Sequence, residues 1–194
     1  KLEALELSAQ SRYGAAALLR EPRGLATLGS LASLIEIDAG WENAVAAALG
    51  QLADAIVVQD ISAAITALST LRNEDLGQAD VLVHHNQGGN SVALAGGLTS
   101  ITAHIRSSSV SDLISDLLGK TVVTETAAEA ADILRNHPEV TVVTRDGDFF
   151  TKSRARGGSK NTNSLIEVKA LIEKLRDELQ TITNECDRLK FAIN

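Results

Sequence analysis

Residues 140–168, VTVVTRDGDFFTKSRARGGSKNTNSLIEV, decide how this chain is read. Residues 140–144 are all β-branched and predict a strand. Asp146-Gly147 is a dipeptide that suits a two-residue type I′ turn, and Phe149, Phe150 and Thr151 predict the return strand of a hairpin. Lys152, Arg154, Arg156 and Lys160 then surround Gly157-Gly158-Ser159 with no acid among them, which reads as a basic glycine loop. Past Leu165 there is no further glycine or proline, and the pattern becomes helical. A small β element therefore meets a rod at a basic junction.

The rod carries the clearest periodicity in the chain. Val168, Ile172, Leu175, Leu179, Ile182, Cys186, Leu189 and Ile193 alternate steps of four and three, the a/d seam of a coiled coil. A helix over 165–194 would run roughly 45 Å and needs a partner along that length. Leu2, Leu5 and Ala9 predict a short amphipathic helix at the other end, stopping near Tyr13-Gly14. Pairing the two antiparallel makes both chain ends one coiled coil; a plain three-helix bundle is the alternative.

Between these ends the pattern alternates. Helices are expected over 41–49, closed by Gly50, and over 61–71, with apolar residues at 61, 64, 65, 68 and 71. Strands are expected over 55–58 and 81–84, and residues 101–105 read as extended. Residues 86–97, with four glycines in twelve, read as a link. A helix over 110–118, a strand over 121–123 and a helix over 127–134 lead back to the hairpin. AALG followed by AIVVQDISAAITAL is echoed by DLLG followed by TVVTETAAEAADIL, which suggests two lobes of related topology. The fold class is α/β (α+β): two small related lobes with mixed sheets, plus an antiparallel coiled coil.

The net charge of −7 argues against a general nucleic-acid binder. That sum conceals an acidic body, ten acids in excess over residues 1–151, and a basic end, three bases in excess over 152–194. One cysteine excludes an internal disulfide framework and fits a reducing compartment. The lack of methionine points to an internal piece of a longer gene product, and neither a signal peptide nor a membrane span is legible. Leu118-Gly119-Lys120-Thr121 lacks the earlier glycine of a phosphate loop, because Ile114 stands there. His84 and His85 are neighbours on a strand and point to opposite faces, a poor chelating pair. Asp146 and Asp148 are explained by turn chemistry, and Cys186 by the apolar seam. No nucleophile, base and orienting group come together, so no enzyme, metal or cofactor is expected. The basic loop suits phosphate contacts without sequence specificity, while its paired glycines suit the approach of another backbone at a strand edge.

Taken together, Leu34–Ile37 leading to Trp41-Glu42-Asn43-Ala44-Val45, Ala48-Leu49-Gly50, Ile56-Val57-Val58, Leu117-Leu118-Gly119 before Val122-Val123, and Val143-Thr144-Arg145-Asp146-Gly147-Asp148 before Gly157-Gly158-Ser159 resemble the hinge domain of bacterial SMC (structural maintenance of chromosomes) proteins. The resemblance covers roughly residues 14–165. It departs where the family often has another glycine and this chain has Ser153 and Arg154. It implies a homodimerisation module with arms leading to ATPase heads elsewhere. The implied dimer interface includes Gly157, Gly158, Ser159, Val142 and Val143. The implied DNA contacts, weak and sequence-independent, are Lys152, Arg154, Arg156, Lys160 and Lys169.

The expected organisation is a coiled-coil stub at 1–13, lobe I at 14–85, a link at 86–97, lobe II at 98–164 and a second stub at 165–194. The expected setting is cytoplasmic and nucleoid-associated, in chromosome condensation and segregation. A small-molecule-binding α/β domain with a coiled-coil tail is the alternative; it predicts a monomer that tolerates changes at Gly157 and Gly158.

Overall fold

In the computed structural model two sheets are each built around a parallel β-α-β unit. The structure describes residues 26–84 and 97–158, Leu94, the helical residues 14–15 and 17–19, and Ile182, Thr183 and Arg188. Lys1–Ser159 form one unit and Lys160–Asn194 another. The expected coiled-coil seam, the N-terminal helix over residues 2–9 and nearly all of the glycine link lie outside the described residues; Ile182, Thr183 and Arg188 are helical. Where the sequence suggested a stop near Gly14, residues 14–15 and 17–19 are helical.

The first sheet has the order β1-β3-β4, from Thr27–Ser30 (β1), Ile56–Val58 (β3) and Val81–Val83 (β4). β3 is an apolar run without alternation because it is the middle strand, covered on both faces and fully buried. It pairs parallel with β4, and helix α2 (Ile61–Asn73) makes the crossover. Asp60 caps α2 by accepting the Ala63 N–H at 2.8 Å.

The buried face of α2 is Ala64, Ala67 and Leu71, packed with Ile56, Val58, Ala15 and Leu18. This corrects the expected apolar stripe: Ile61, Ile65 and Leu68 are 61%, 60% and 45% exposed. Both sets fit a helical period. Alanines at 64 and 67 allow close approach of helix to sheet, and that packing selects the face.

The second sheet has the order β6-β7-β8-β9, from Thr121–Thr124 (β6), Thr141–Thr144 (β7), Phe149–Thr151 (β8) and Arg154–Arg156 (β9). β6 and β7 are parallel, joined by α4 (Ala127–Asn136), whose cap Thr126 accepts from Glu129 N–H at 3.3 Å. Val122, Val140, Val142 and Ala130 form its core, with Ile133, Leu134 and Phe150 against them.

The two halves share one order of elements, apart from an extra 3-10 turn at Gly50–Asp54 in the first. A 3-10 turn at Leu31–Ser33, β2 (Glu36–Ile37), α1 (Glu42–Leu49), β3, α2 and β4 correspond to a 3-10 turn at Ile101–His104, β5 (Ile105–Arg106), α3 (Ser111–Leu118), β6, α4 and β7. Residues 101–104 are therefore a turn rather than extended chain. β2 and β5, equivalent elements, pair antiparallel with each other through Glu36↔Arg106 and Ile37↔Ile105. Around that pairing the halves are clasped. Asp38 N–H donates to His104 O at 3.0 Å, and Ser107 Oγ donates to Leu34 O at 2.8 Å. Trp41 stacks on His104 with centroids 4.0 Å apart, and the Arg145 guanidinium sits 5.4 Å from the Trp41 ring.

The second half continues where the first stops. β8 and β9 extend the sheet beyond β7, whereas nothing among the described residues lies outside β4. At the other end of the second sheet, β6 is partly covered by a Ser100–Val122 bridge and by Val123 N–H donating to Thr99 O at 3.0 Å.

Candidate functional site

The β7–β8 turn does not take the expected two-residue form. Thr144 N–H donates to Asp148 O at 2.9 Å and Gly147 N–H to Thr144 O at 3.0 Å, closing a three-residue loop, Arg145-Asp146-Gly147. Only Gly147 has positive φ, +95°, since Asp75 is the one described non-glycine residue with that conformation. A type I′ turn would need Asp146 there too. The decision is made outside the hairpin: Arg145 N–H is taken by Thr124 O of β6 at 3.0 Å, which removes Arg145 from pairing with β8. Gly147 itself fits against α1, where a Cβ would stand 3.2 Å from Asn43 O.

The expected basic loop contains a short strand. Residues 154–156 form β9, with Phe149↔Arg156, Phe150↔Ala155 and Thr151↔Arg154 in register. Lys152-Ser153 is the tight turn between β8 and β9. Arg154 and Arg156 share a face with Phe149, their guanidinium carbons 5.7 and 5.4 Å from its ring centre. Arg156 also donates from Nη2 to Ala47 O at 2.6 Å, in the last turn of α1. Carbonyls there lack intrahelical partners and carry the negative end of the helix dipole, so Arg156 serves as a C-terminal cap. Lys152, Arg154 and Arg156 are all exposed cations, and Arg156 is in addition tied to α1 through Ala47 O.

At the end of β9 lie Gly157 and Gly158, and they differ. Gly158 has φ +118° and open space around its Cβ position. Gly157 has no such φ, but a Cβ there would fall on the Asp148 carboxylate, 2.7 Å from its Cγ. Asp148 Oδ1 accepts the Gly158 N–H at 3.3 Å.

Of the five residues expected at a dimer interface, Gly157 and Gly158 are exposed at the end of the open strand, and Ser159 lies outside the described residues. Val142 and Val143 are a correction. They are fully buried on β7, an inner strand paired on both sides, so neither side chain nor backbone is open to a partner. Lys160 and Lys169 also lie outside the described residues. Among those described, no three His, Cys, Asp or Glu side chains are grouped to hold a metal, and no helix is long and apolar enough to cross a membrane. Asp148 was legible only as a turn residue, and no sequence signal tied it to glycines nine and ten positions on.

The family model described as "SMC proteins Flexible Hinge Domain" matches residues 25–134, more than half of the chain and most of both β-α-β units. The chain belongs to the SMC hinge family. Over its whole length it is 35% identical to the chromosome partition protein Smc of Mycobacterium tuberculosis and 31% identical to that of Mycobacterium leprae. It spans 17% and 16% of those proteins. Among solved structures it is similar to an asymmetric dimer of the Geobacillus stearothermophilus SMC hinge domain, with TM-score 0.80 and 23% identity, covering 98% of this chain and 81% of that one. The Pyrococcus furiosus SMC hinge domain gives TM-score 0.60 and 26% identity, covering 82% of this chain and 97% of that one. The first likeness is one of fold. In this hinge the family match stops before β7, so the β7–β9 face and its glycines lie beyond it.

Proposed function

We propose that the chain is the homodimerisation hinge of a chromosome partition protein, a non-enzymatic joint between two coiled-coil arms. One observation carries this reading: among the described residues each repeat ends in a strand paired on one side only, β4 in the first and β9 in the second. A two-fold dimer that sets β9 of one copy beside β4 of the other satisfies both edges twice and closes on itself. Gly158, with open space at its Cβ position, suits a backbone approaching there. The two repeats are then lobes I and II at 14–85 and 98–164, with the stubs at 1–13 and 165–194 leading into the arms. The solved relative from Geobacillus stearothermophilus is described as an asymmetric dimer, which supports dimerisation itself.

DNA contact is a second part of the proposal. Lys152 and Arg154 are exposed cations of the β8–β9 hairpin and, with Lys160 and Lys169, would touch phosphates without reading sequence. The setting is the nucleoid.

Sedimentation equilibrium over a wide concentration range tests the dimer. A mass near twice 20.4 kDa is expected. A Gly158→Trp chain should sediment as a folded monomer, and one that stays dimeric removes β9 from the interface. For DNA, Lys152→Glu with Arg154→Glu should weaken retention in gel shifts at low salt; unchanged retention moves the contact elsewhere.

A further inference from the structure

We infer that Asp148 is a positioning residue for the glycine edge, and that Gly157 is a glycine because of Asp148 rather than because of a partner chain. The inference rests on the dimer reading for its consequence, though not for its geometry. Asp148 and Gly157 stand opposite each other, one step beyond the Phe149↔Arg156 pair. The main chain of Asp148 is firmly seated: its carbonyl accepts Thr144 N–H at 2.9 Å, and its own N–H donates to Thr144 Oγ1 at 3.0 Å, on a buried side chain. Its carboxylate occupies the volume of the missing Gly157 Cβ and accepts the Gly158 N–H at 3.3 Å.

The two glycines thus answer different requirements. Gly157 adopts a backbone conformation open to any residue, so space is its constraint, and that space is filled from within the chain. Gly158 has open space but φ +118°, so conformation is its constraint. The carboxylate holds the N–H of the residue that makes the unusual turn. It thereby sets the direction in which β9 ends, before any partner arrives, and spares a second copy the cost of ordering it.

A double-mutant cycle on the 194-residue chain tests this, reading the dimer dissociation constant and site-resolved hydrogen exchange of the Gly158 amide by NMR. Gly157→Ala and Asp148→Ala should each weaken dimerisation about tenfold and speed Gly158 exchange. Asp148→Asn keeps an acceptor of the same shape and should stay within about threefold of wild type. With Asp148→Ala in place, Gly157→Ala should cost nothing more, because the atom it struck is gone. Equal weakening by Gly157→Ala in both backgrounds would show that the room belongs to the partner and overturn the inference. A wild-type chain that is monomeric throughout sinks the dimer reading instead. In that event Gly158 exchange still decides: an amide released by Asp148→Ala upholds the positioning role of Asp148, and one indifferent to residue 148 overturns it.

Discussion

Replacing Arg156 with alanine should destabilise the fold, although the residue lies on an exposed edge strand. Its guanidinium donates at 2.6 Å to Ala47 O, in a partly buried bond, and lies 5.4 Å from the centre of Phe149. At the C-terminal end of α1, Gly50 N–H takes the carbonyl of Ala46, and Arg156 takes that of Ala47. A bond from a charged donor at a half-solvated site contributes about 1–1.5 kcal/mol, helix-end charge complementarity included. The contact over the ring adds about 0.5–1 kcal/mol. The sum is about 2 kcal/mol, or roughly 4–8 °C in melting temperature for a domain of this size. Arg154, 5.7 Å from the same ring, should cost under about 1 kcal/mol when replaced by alanine. Urea titration at one fixed protein concentration measures all three chains, since a dimer's apparent stability varies with concentration. An Arg156→Ala chain within about 0.5 kcal/mol of wild type, or matching Arg154→Ala, would refute the capping role. The consequence for DNA work is direct: charge reversals that include residue 156 confound lost binding with lost structure.

Gly147→Ala should cost about 2 kcal/mol by chemical denaturation, because a side chain at φ +95° is strained and its Cβ would press on Asn43 O at 3.2 Å. A type I′ turn, with Asp146 and Gly147 both at positive φ, would instead let Asp146→Gly stabilise the hairpin; no gain is expected. On α2, Leu71→Ala should lose about 2–4 kcal/mol in the same assay, whereas Ile65→Gln should stay within about 0.5 kcal/mol. The reverse ranking would return the buried face to the stripe through Ile61, Ile65 and Leu68.

Strong local signals were legible as far as they were self-contained. The Val-Val runs of β3 and β6, the alanine-rich helices after them and the closing glycines all depend on neighbours in the chain, and the repeat follows from their order. What failed shared one cause. The face of α2, the length of the β7–β8 turn and the inner position of Val142 and Val143 were each decided by a segment far away: the sheet under Ala64 and Ala67, Thr124 O holding Arg145 N–H, and β6 and β8 on either side of β7. The basic run misled for a different reason. Cations are usual on solvated loops and also on edge strands, and composition does not separate the two.

From the sequence alone came an α/β chain of two related halves, a hairpin with a glycine-marked end, and membership in the SMC hinge family on the order of its motifs. Those rest on periodicity, turn chemistry and motif order, which are properties of neighbouring residues. Only the tertiary structure separated Arg156, bonded to the end of α1, from Lys152 and Arg154, and Gly157, making room for Asp148, from Gly158, making a turn. Such distinctions depend on which carbonyl or carboxylate lies within about 3 Å after folding, and residues of identical type carry no record of it until the chain closes on itself.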